Sequence, residues 1–432
     1  MTARDSVTLR PEGPLKGEIT APSDKSISHR AIIFASIGKG ISRIRNFLRA
    51  SDPMSTLNAM SALGVEIIDN IDEIVVHGRG LYGLKEPEDI IDCGNSGTTM
   101  RLLTGLLSAQ KFLSILTGDE SLRQRPMKRV ITPLTEMGAT IYGRKENSLA
   151  PVAIRGQQLR PIEYRSPVAS AQVKSAILLA GLYIAGTTTV EEPSRSRDHT
   201  ERILPTIGAS IEVEKNRVSI RGPAELSTLD MTIPGDFSSA AFFLVAATIV
   251  KDSEILIKNT LLNPTRTGLL NVMERMGVSF EILNTSEVSG EPVGDILCRF
   301  TSQLKATEIR PEEVPSMIDE FPIFSVLATQ ADGVSVIRGA RELRVKESDR
   351  IGTMTSELRK LGAEIEELPD GMTIKGPVKL KGAVVESHGD HRVAMALSVA
   401  ALVAEGETKI EGISSVEISF PGFYEKLRDL VS

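Results

Sequence analysis

Six long apolar runs recur along the chain, and each opens on a short polar or charged segment. Each run is long enough for a helix, and a glycine or a β-branched strand follows it. The runs open at Ser26, Asn95, Ser170, Asp236, Asp319 and Asp390. Repetition at roughly 70 residues indicates one supersecondary unit that is copied several times. Helix N-termini carry unpaired N–H groups and partial positive charge, so these polar openings predict an anion site built from helix ends.

A second pattern shares this spacing: a periodic apolar helix ends at a glycine, and two strands joined by a turn follow. The glycines are Gly64, Gly138, Gly208, Gly277 and Gly362. Glycine is typical of this place because it adopts the left-handed backbone conformation without a Cβ penalty. The segment NTSEVSGEPVGD lengthens the fourth hairpin, and we interpret its tip as a surface insertion.

The sixth copy ends the chain without its hairpin. In our interpretation the N-terminal segment VTLRPEGPLKGEITAP supplies the missing strands. The six copies then predict an α/β protein of two lobes, with three copies in each. Residues 1–21 and 233–432 would form the lobe that contains both termini, and residues 22–232 the second lobe. A continuous solenoid is the alternative, but its repeats are usually about 20–45 residues long.

Composition narrows the class of protein. The 432 residues carry a formal net charge of −6 and no tryptophan, which disfavours a protein that binds nucleic acid through bulk charge and aromatic stacking. Only Cys93 and Cys298 are present, so no disulfide framework is implied. The chain shows neither a signal-peptide core nor an apolar run of membrane length, and a reducing, cytoplasmic location is therefore expected. Basic clusters on this acidic background become candidates for binding anions.

The polar openings and the loops after them hold these candidates. They are Lys25, Ser26, Arg30, Gly97, Arg125, Ser170, Ala171, Gln172, Arg197, Lys346, Arg350 and Arg392. We interpret Lys128 and Arg129 as a solvated face. Asp319, at the fifth opening, is either a helix cap or a chemically active group, and local pattern weighs the two about evenly. His388 and His391 have a spacing compatible with a metal site, but no third ligand lies nearby in the sequence beyond Asp390.

Cys93 is the other residue with potential reactivity. We interpret it as a small buried residue rather than a nucleophile, because apolar strand residues precede it.

Eight motifs follow one another in order: DKSISHR, GNSGTTMR, LRQRPM, ASAQVKSA, SRDHTE, IDEFP, RVKESDR and GDHRVAM. Together they resemble the 5-enolpyruvylshikimate-3-phosphate synthase family over essentially the whole chain. The resemblance implies a two-lobed enolpyruvyl transferase fold of six βαβαββ units, three per lobe in pseudo-threefold arrangement, with the active site in the cleft between the lobes. It implies transfer of the enolpyruvyl group of phosphoenolpyruvate to the 5-hydroxyl of shikimate 3-phosphate, with release of phosphate, in aromatic amino acid biosynthesis. It further implies a monomer that acts on small molecules, not on nucleic acid or a membrane, and uses neither a metal nor an organic cofactor.

The resemblance also implies a role for each candidate. The shikimate 3-phosphate contacts would be Lys25, Ser26, Arg30, Ser170, Ala171, Gln172, Arg197, Asp319 and Lys346. The phosphoenolpyruvate contacts would be Lys25, Gly97, Arg125, Gln172, Arg350 and Arg392. Asp319 would take the proton of the attacking 5-hydroxyl, and either Lys25 or Glu347 would protonate the methylene carbon.

Two positions depart from the pattern of many family members. Ile418 stands where many members have a lysine, and Ala171 stands where many have a serine. Both resemble a subgroup with reduced sensitivity to the inhibitor glyphosate, whereas Gly97 keeps the residue associated with sensitivity. The sequence therefore leaves glyphosate sensitivity open.

Three alternatives agree less well with the sequence. The sister enzyme that transfers enolpyruvyl to UDP-N-acetylglucosamine usually has a cysteine in the loop that reads GDESLRQRP here. A non-catalytic binding protein on the same scaffold would have no need of Asp319 and Glu347. A 3′-phosphate cyclase acting on RNA is disfavoured by the acidic balance and the few aromatic residues.

Overall fold

The structure, a computed structural model, describes residues 5–431. By their contacts these residues divide into two compact units. The first unit holds residues 5–22, Pro234–Ser286 and 292–431, and the second holds Ser23–Ile233 and Glu287–Glu291. The sequence assigned residues 287–291 to the lobe with both termini, whereas their contacts group them with the second unit.

The described residues form 23 strands and 14 helices. The strands are β1 (Ser6–Leu9), β2 (Lys16–Thr20), β3 (Lys39–Arg45), β4 (Glu66–Asp69), β5 (Glu73–Arg79), β6 (Ile91–Asp92), β7 (Leu113–Thr117), β8 (Thr140–Gly143), β9 (Leu149–Arg155), β10 (Glu163–Arg165), β11 (Gly186–Glu191), β12 (Ser210–Glu214), β13 (Arg217–Gly222), β14 (Asp230–Thr232), β15 (Glu254–Leu261), β16 (Phe280–Val288), β17 (Glu291–Arg299), β18 (Glu308–Ile309), β19 (Gly333–Ile337), β20 (Glu364–Leu368), β21 (Gly371–Gly376), β22 (Val384–Glu386) and β23 (Thr408–Glu411). The helices are α1 (Lys25–Ile37), α2 (Ser51–Ala62), α3 (Gly97–Ser108), α4 (Lys128–Glu136), α5 (Arg144–Asn147), α6 (Ala171–Gly181), α7 (His199–Thr206), α8 (Phe237–Ile249), α9 (Gly268–Arg275), α10 (Val314–Met317), α11 (Phe321–Thr329), α12 (Arg350–Lys360), α13 (His391–Ala401) and α14 (Phe423–Asp429). Single 3₁₀ turns lie at Leu122–Gln124, Arg341–Val345 and Ile413–Ile418.

Within the described chain, the strands make six small sheets, three in each unit. The sheet β10-β11-β13-β12 shows the common plan: β10 runs parallel to β11 across α6, and α7 then leads to the antiparallel hairpin β12–β13. This is a βαβαββ unit, so the predicted α/β fold of repeated units is confirmed. Two sheets take their first strand from a distant segment, because β14 pairs with β3 and β2 pairs with β15.

The N-terminal strands correct one part of the sequence interpretation. β1 completes the sheet of the sixth copy (β1-β23-β22, here the sixth sheet) by pairing antiparallel with β23, as expected. β2 instead joins the sheet of the fourth copy (β16-β17-β15-β2), parallel to β15, with Ile19 opposite Ile257. Both isoleucines are buried in the core of the first unit, so this register places the apolar side of β2 against that core. Only part of the N-terminal segment therefore supplies the missing strands.

The six predicted apolar helices are confirmed as α1, α3, α6, α8, α11 and α13. Every residue of α8 is buried, as an apolar helix without a polar face requires. In five of the six helices, the side chain of the residue before the helix accepts an N–H of the first turn. These residues are Asp24, Ser96, Ser170, Asp236 and Asp390. The chain therefore enters each of these five helices through a side-chain cap.

The five helix-ending glycines are confirmed, because Gly64, Gly138, Gly208, Gly277 and Gly362 all have a φ between 83° and 102°.

The segment NTSEVSGEPVGD agrees only in part with the expected surface insertion. Ser289 and Gly290 both have positive φ, as a tight hairpin turn requires. Glu291, however, is fully buried, and its Oε1 lies 2.7 Å from Nδ1 of His199. Residues 284–287 are exposed and residues 288–290 are half-buried, so the interpretation as a surface insertion fits this part of the segment and fails at Glu291.

The helices of the described chain include none that is both long enough and apolar enough to cross a membrane.

Candidate active site

The start of α1 carries the first group of candidate residues in the second unit. Lys25 Nζ lies 3.0 Å from Oδ2 of Asp52, which is itself buried at the start of α2. The buried Arg30 guanidinium donates from Nε to Oγ1 of Thr200 at 2.8 Å and from NH2 to Oγ of Ser175 at 2.9 Å. A third donor, NH1, reaches the carbonyl oxygen of Ser26. Arg30 thus joins α1 to α6 and α7 and is held in one orientation.

The start of α3 carries the second group. A Cβ built on Gly97 would lie 3.0 Å from NH1 of Arg101 and 3.6 Å from NH1 of Arg125. Gly97 therefore leaves open the space that two guanidinium groups face. Arg125 is mostly buried, and its NH1 donates to the carbonyl oxygen of Asn95 at 3.2 Å.

Gln172, on the first turn of α6, belongs to this second group through its amide. Its Oε1 accepts from Arg101, and its Nε2 donates to Oγ1 of Thr98 at 2.9 Å. The sequence analysis did not single out Arg101. Its signal was present in GNSGTTMR, because Arg101 lies four residues after Gly97 and so on the same helix face.

The start of α6 and the loop before α7 supply the remaining candidates of the second unit. Ser170 caps α6 by accepting the N–H of Val173 at its Oγ, so its own hydroxyl proton can be donated elsewhere. Arg197 NH1 lies 3.5 Å from Oγ of Ser26. Ser26, Arg30 and Arg197 are therefore neighbours, although they come from segments about 170 residues apart in the chain.

In the first unit, the candidates gather around Arg350 at the start of α12. Its guanidinium is fully buried and bonds to three carboxylates: Nε to Asp390 at 2.8 Å, NH2 to Glu347 at 2.7 Å and NH1 to Asp319 at 3.1 Å. Burial opposes the charge on Arg350, but these carboxylates outweigh burial and raise the pKa of the guanidinium. Burial also opposes the charge on Asp390 and by itself would raise the pKa of its carboxyl group, but Arg350 outweighs burial and lowers that pKa. Arg350 therefore stays protonated and Asp390 stays ionised although both are buried.

Asp319 is the residue for which the sequence left a helix cap and a chemically active group equally open. It lies before the cap position of α11, which Glu320 occupies. Three cations surround its carboxylate: Arg350 NH1 at 3.1 Å, Arg392 NH2 at 3.7 Å and Lys346 Nζ at 3.9 Å. The interpretation of Asp319 as a helix cap is therefore wrong.

The structure also places the other residues that the sequence analysis considered. Cys93 is fully buried, and burial raises the pKa of its thiol, which fits a packing residue. His388 is exposed, and its Nε2 lies 3.1 Å from Oε1 of Glu357. Ile418 is half-buried at the end of a 3₁₀ turn, and Lys128 is exposed at the start of α4.

Within residues 5–431, one group of three side chains has the spacing of metal ligands: Asp198, His199 and Glu291, all buried. The sequence analysis missed it, because Glu291 is remote in the chain. The guanidinium of Arg202 already supplies a cation there, with Nε 3.0 Å from Asp198 and 3.6 Å from Glu291. These contacts fit a structural ion cluster better than a metal centre.

Each unit has three sheets of βαβαββ type, and cations gather at the helix starts; this is the fold of enolpyruvyl transferases. The family model of EPSP synthase (3-phosphoshikimate 1-carboxyvinyltransferase) matches residues 9–427. A 3-phosphoshikimate 1-carboxyvinyltransferase of Thermodesulfovibrio yellowstonii is 57% identical over 96% of this chain and 97% of the relative. One from Geobacter sp. strain M21 is 53% identical over 99% of each chain. The chain therefore belongs to the EPSP synthase family.

Solved structures agree with this assignment. The EPSP synthase of Acinetobacter baumannii superimposes with a TM-score of 0.87 at 43% identity and covers 98% of this chain and 97% of its own. The enolpyruvyl transferase NikO of Streptomyces tendae superimposes with a TM-score of 0.79 at 18% identity, covering 99% and 97%, and shares the fold.

Proposed function

We propose that the chain catalyses the reaction of its family through the residues described above. The enolpyruvyl group of phosphoenolpyruvate is transferred to the 5-hydroxyl of shikimate 3-phosphate, which yields 5-enolpyruvylshikimate 3-phosphate and phosphate. The observation that carries the assignment of roles is the Asp319 carboxylate among three cations. The two substrates together bring two phosphates and two carboxylates, and charge-assisted hydrogen bonds to them are worth about 1.5–3 kcal/mol each.

For shikimate 3-phosphate, the proposed contacts of the second unit are those around the starts of α1 and α6. The Ser170 hydroxyl, the N–H groups of Ala171 and Gln172, and the Arg197 guanidinium receive the phosphate. The position of α6 supports this, because a helix start favours a bound anion. Lys25, Ser26 and Arg30 contact the ring hydroxyls and carboxylate, and Asp319 and Lys346 of the first unit complete the set.

For phosphoenolpyruvate, the proposed contacts are mostly cations. They are Lys25, Gly97, Arg125, Gln172, Arg350 and Arg392. Gly97 supports this assignment because a residue without Cβ lets the anion approach the helix start between Arg101 and Arg125. Gln172 supports it because Arg101 and Thr98 fix the orientation of its amide.

The proposed chemistry is an addition followed by an elimination. Asp319 takes the proton of the 5-hydroxyl while the oxygen attacks C2 of phosphoenolpyruvate, and C3 receives a proton from Lys25 or Glu347. The tetrahedral intermediate then loses a C3 proton to the same group and expels phosphate. Lys25 is favoured by its ammonium, which carries a proton to give. Glu347 is held in one place by its bond to Arg350, but as a carboxylate it must take up a proton before it can give one to C3.

The test is phosphate release with phosphoenolpyruvate alone, with shikimate 3-phosphate alone, and with both. Release that needs both substrates supports the proposal. Release from phosphoenolpyruvate alone would indicate a phosphatase, and release that appears only with UDP-N-acetylglucosamine as acceptor would assign the sister reaction. Asp319→Asn serves as the control, because it should remove release without removing the cationic contacts.

We further propose that the chain acts as a monomer in the cytoplasm, with no nucleic-acid partner. Its net charge of −6 and its two buried free thiols, Cys93 and Cys298, support this proposal. Sedimentation at micromolar concentration, with and without both substrates, tests the monomer. A dimer in either condition would contradict it.

A further inference from the structure

A sealed group of three charges lies behind the start of α6 in the second unit. Lys174 Nζ lies 2.9 Å from Oε2 of Glu192 and 2.7 Å from Oε1 of Glu201, and none of the three side chains is more than 4% exposed. Buried ion groups are seldom more stable than well-packed apolar residues, because each charge loses its hydration. Stability alone is therefore a weak explanation for this group, and its other bonds are informative.

Glu192 makes bonds that Glu201 does not. Its Oε1 accepts the backbone N–H of Ser170 at 2.8 Å, and its Oε2 accepts the hydroxyl of Ser196 at 2.8 Å and the N–H of Ser196 at 3.3 Å. In the described part of the chain, Glu201 bonds to Lys174 and to neither serine. One carboxylate thus joins the cap residue of α6 to the residue that precedes Arg197.

We propose that Glu192 is a positioning residue for the phosphate of shikimate 3-phosphate. It sets the distance between Ser170 and the segment that carries Arg197, the two groups that receive the phosphate. This inference rests on the roles proposed above for Ser170, Ala171 and Arg197. Because Glu192 occupies the Ser170 N–H, the phosphate meets the Ser170 hydroxyl and the N–H groups of Ala171 and Gln172.

The sign of one substitution separates positioning from charge. Glu192 brings negative charge close to the proposed phosphate site, so its charge by itself weakens binding of a dianion. Removing the charge should therefore tighten binding if Glu192 acts only through its electrostatic field. It should weaken binding if Glu192 acts by holding Ser170 and Ser196 in place.

The experiment compares Glu192→Gln with Glu201→Gln by steady-state kinetics on the full chain. Both variants remove one negative charge from the same lysine, but only the first disturbs the bonds to Ser170 and Ser196. For Glu192→Gln, we expect the KM for shikimate 3-phosphate to rise about tenfold, because this corresponds to the loss of one hydrogen bond to a charged group. The kcat and the KM for phosphoenolpyruvate should change less than about threefold on the same scale. Glu201→Gln should leave all three constants near those of the parent.

Competitive inhibition by shikimate, which lacks the phosphate, separates a local effect from a general one. A variant that disturbed the whole site would raise the inhibition constant of shikimate. That constant should be the same in the parent and in Glu192→Gln, because the lost positioning affects the phosphate alone. If Glu192→Gln does not fold, Ser196→Ala removes one bond of Glu192, and we expect a rise of about threefold in the same KM.

Several outcomes would overturn the proposal. An unchanged or lower KM for shikimate 3-phosphate in Glu192→Gln would do so, as would equal losses for shikimate and shikimate 3-phosphate. With Ser196→Ala as the fallback, an unchanged KM would do so. Ser170→Ala and Arg197→Ala test the assignment beneath the proposal. If neither raises that KM, the phosphate site lies elsewhere, and the proposed roles fail whatever Glu192 does.

Discussion

Each unit has a buried cation held by two or three carboxylates, but the two groups differ in their access to solvent. In the second unit, Lys174 and its partners Glu192 and Glu201 are all sealed. In the first unit, Arg350 is as deeply buried, yet Asp319 keeps 13% and Glu347 17% of their side-chain surface exposed. A buried ion group that is shielded from solvent, as around Lys174, is thus suited to fix the position of the backbone. The same kind of group is suited to act on a ligand where its carboxylates reach the surface.

The choice of cation fits this difference. A guanidinium has five N–H donors in a fixed plane and binds three carboxylates in separate directions, as Arg350 does. An ammonium has three donors on a flexible stem, and Lys174 holds two carboxylates. Arg350 can therefore present Asp319 and Glu347 to a ligand while Asp390 anchors it from within.

The largest expected effect is on kcat and concerns Asp319, a carboxylate that is partly exposed to solvent. Asp319→Asn should lower kcat by about 10²–10⁴-fold, because an amide cannot take the proton of the 5-hydroxyl. The dissociation constant for shikimate 3-phosphate, measured by calorimetry, should change little. Glu201→Gln, at a sealed carboxylate, is the matched control and should keep kcat. A kcat of Asp319→Asn within threefold of the parent would remove the distinction between open and sealed groups.

The next effect concerns the sealed group. Lys174→Met should lower the free energy of unfolding by about 3–5 kcal/mol, because it leaves two buried carboxylates without their cation. Lys375→Met is the control: Lys375 pairs with Glu364, and both side chains are more than half exposed, so its loss should cost below about 1 kcal/mol. Urea titration of both variants measures the difference. Equal losses would show that burial does not set the value of these pairs.

A smaller effect tests the second unit's contribution to ligand binding. Gly97→Ala places a Cβ 3.0 Å from Arg101 NH1, so this guanidinium must shift where it faces the proposed phosphoenolpyruvate site. By family resemblance glyphosate is the longer ligand, and it should lose about 1–3 kcal/mol of binding, more than phosphoenolpyruvate loses. The inhibition constant and the KM for phosphoenolpyruvate measure this. An equal rise in both constants would mean that position 97 does not discriminate.

The smallest effect concerns pH and His29, whose Nδ1 lies 2.6 Å from Oγ1 of Thr56. Burial and then the nearby Lys25 and Arg30 hold the pKa of His29 well below its usual 6.5. Below that value the unfolded chain binds a proton that the folded chain refuses, so stability is full above pH 6.5 and falls as the pH drops. The contribution of His29 is about 1.4 kcal/mol per pH unit.

Denaturation of the parent and of His29→Gln at several values between pH 8 and pH 5 checks this expectation. The parent should lose stability more steeply below pH 6.5 than the variant. Parallel curves would contradict a neutral buried His29.

Much of the fold was predictable because its signals are local. The six apolar runs and the glycines from Gly64 to Gly362 are read within about one helix length, and the structure has a helix or a left-handed turn at each. The structure departs from the sequence interpretation where two segments that are remote in the chain contact each other. β2 joins β15 instead of the sixth sheet, and Glu291 is buried against His199, since pairing between segments more than 90 residues apart leaves no local trace.

The candidate site divides in the same way. Local pattern and motif order alone established which residues carry the charge, from Lys25 to Arg392, and which family the chain resembles. Only the folded chain shows that Asp319 lies among three cations instead of capping α11, that Arg101 holds the amide of Gln172, and that Glu192 joins Ser170 to Ser196. The physical reason is that residue type and helix period are properties of neighbouring positions. Burial and hydrogen-bond partners instead depend on which distant segments the core brings together.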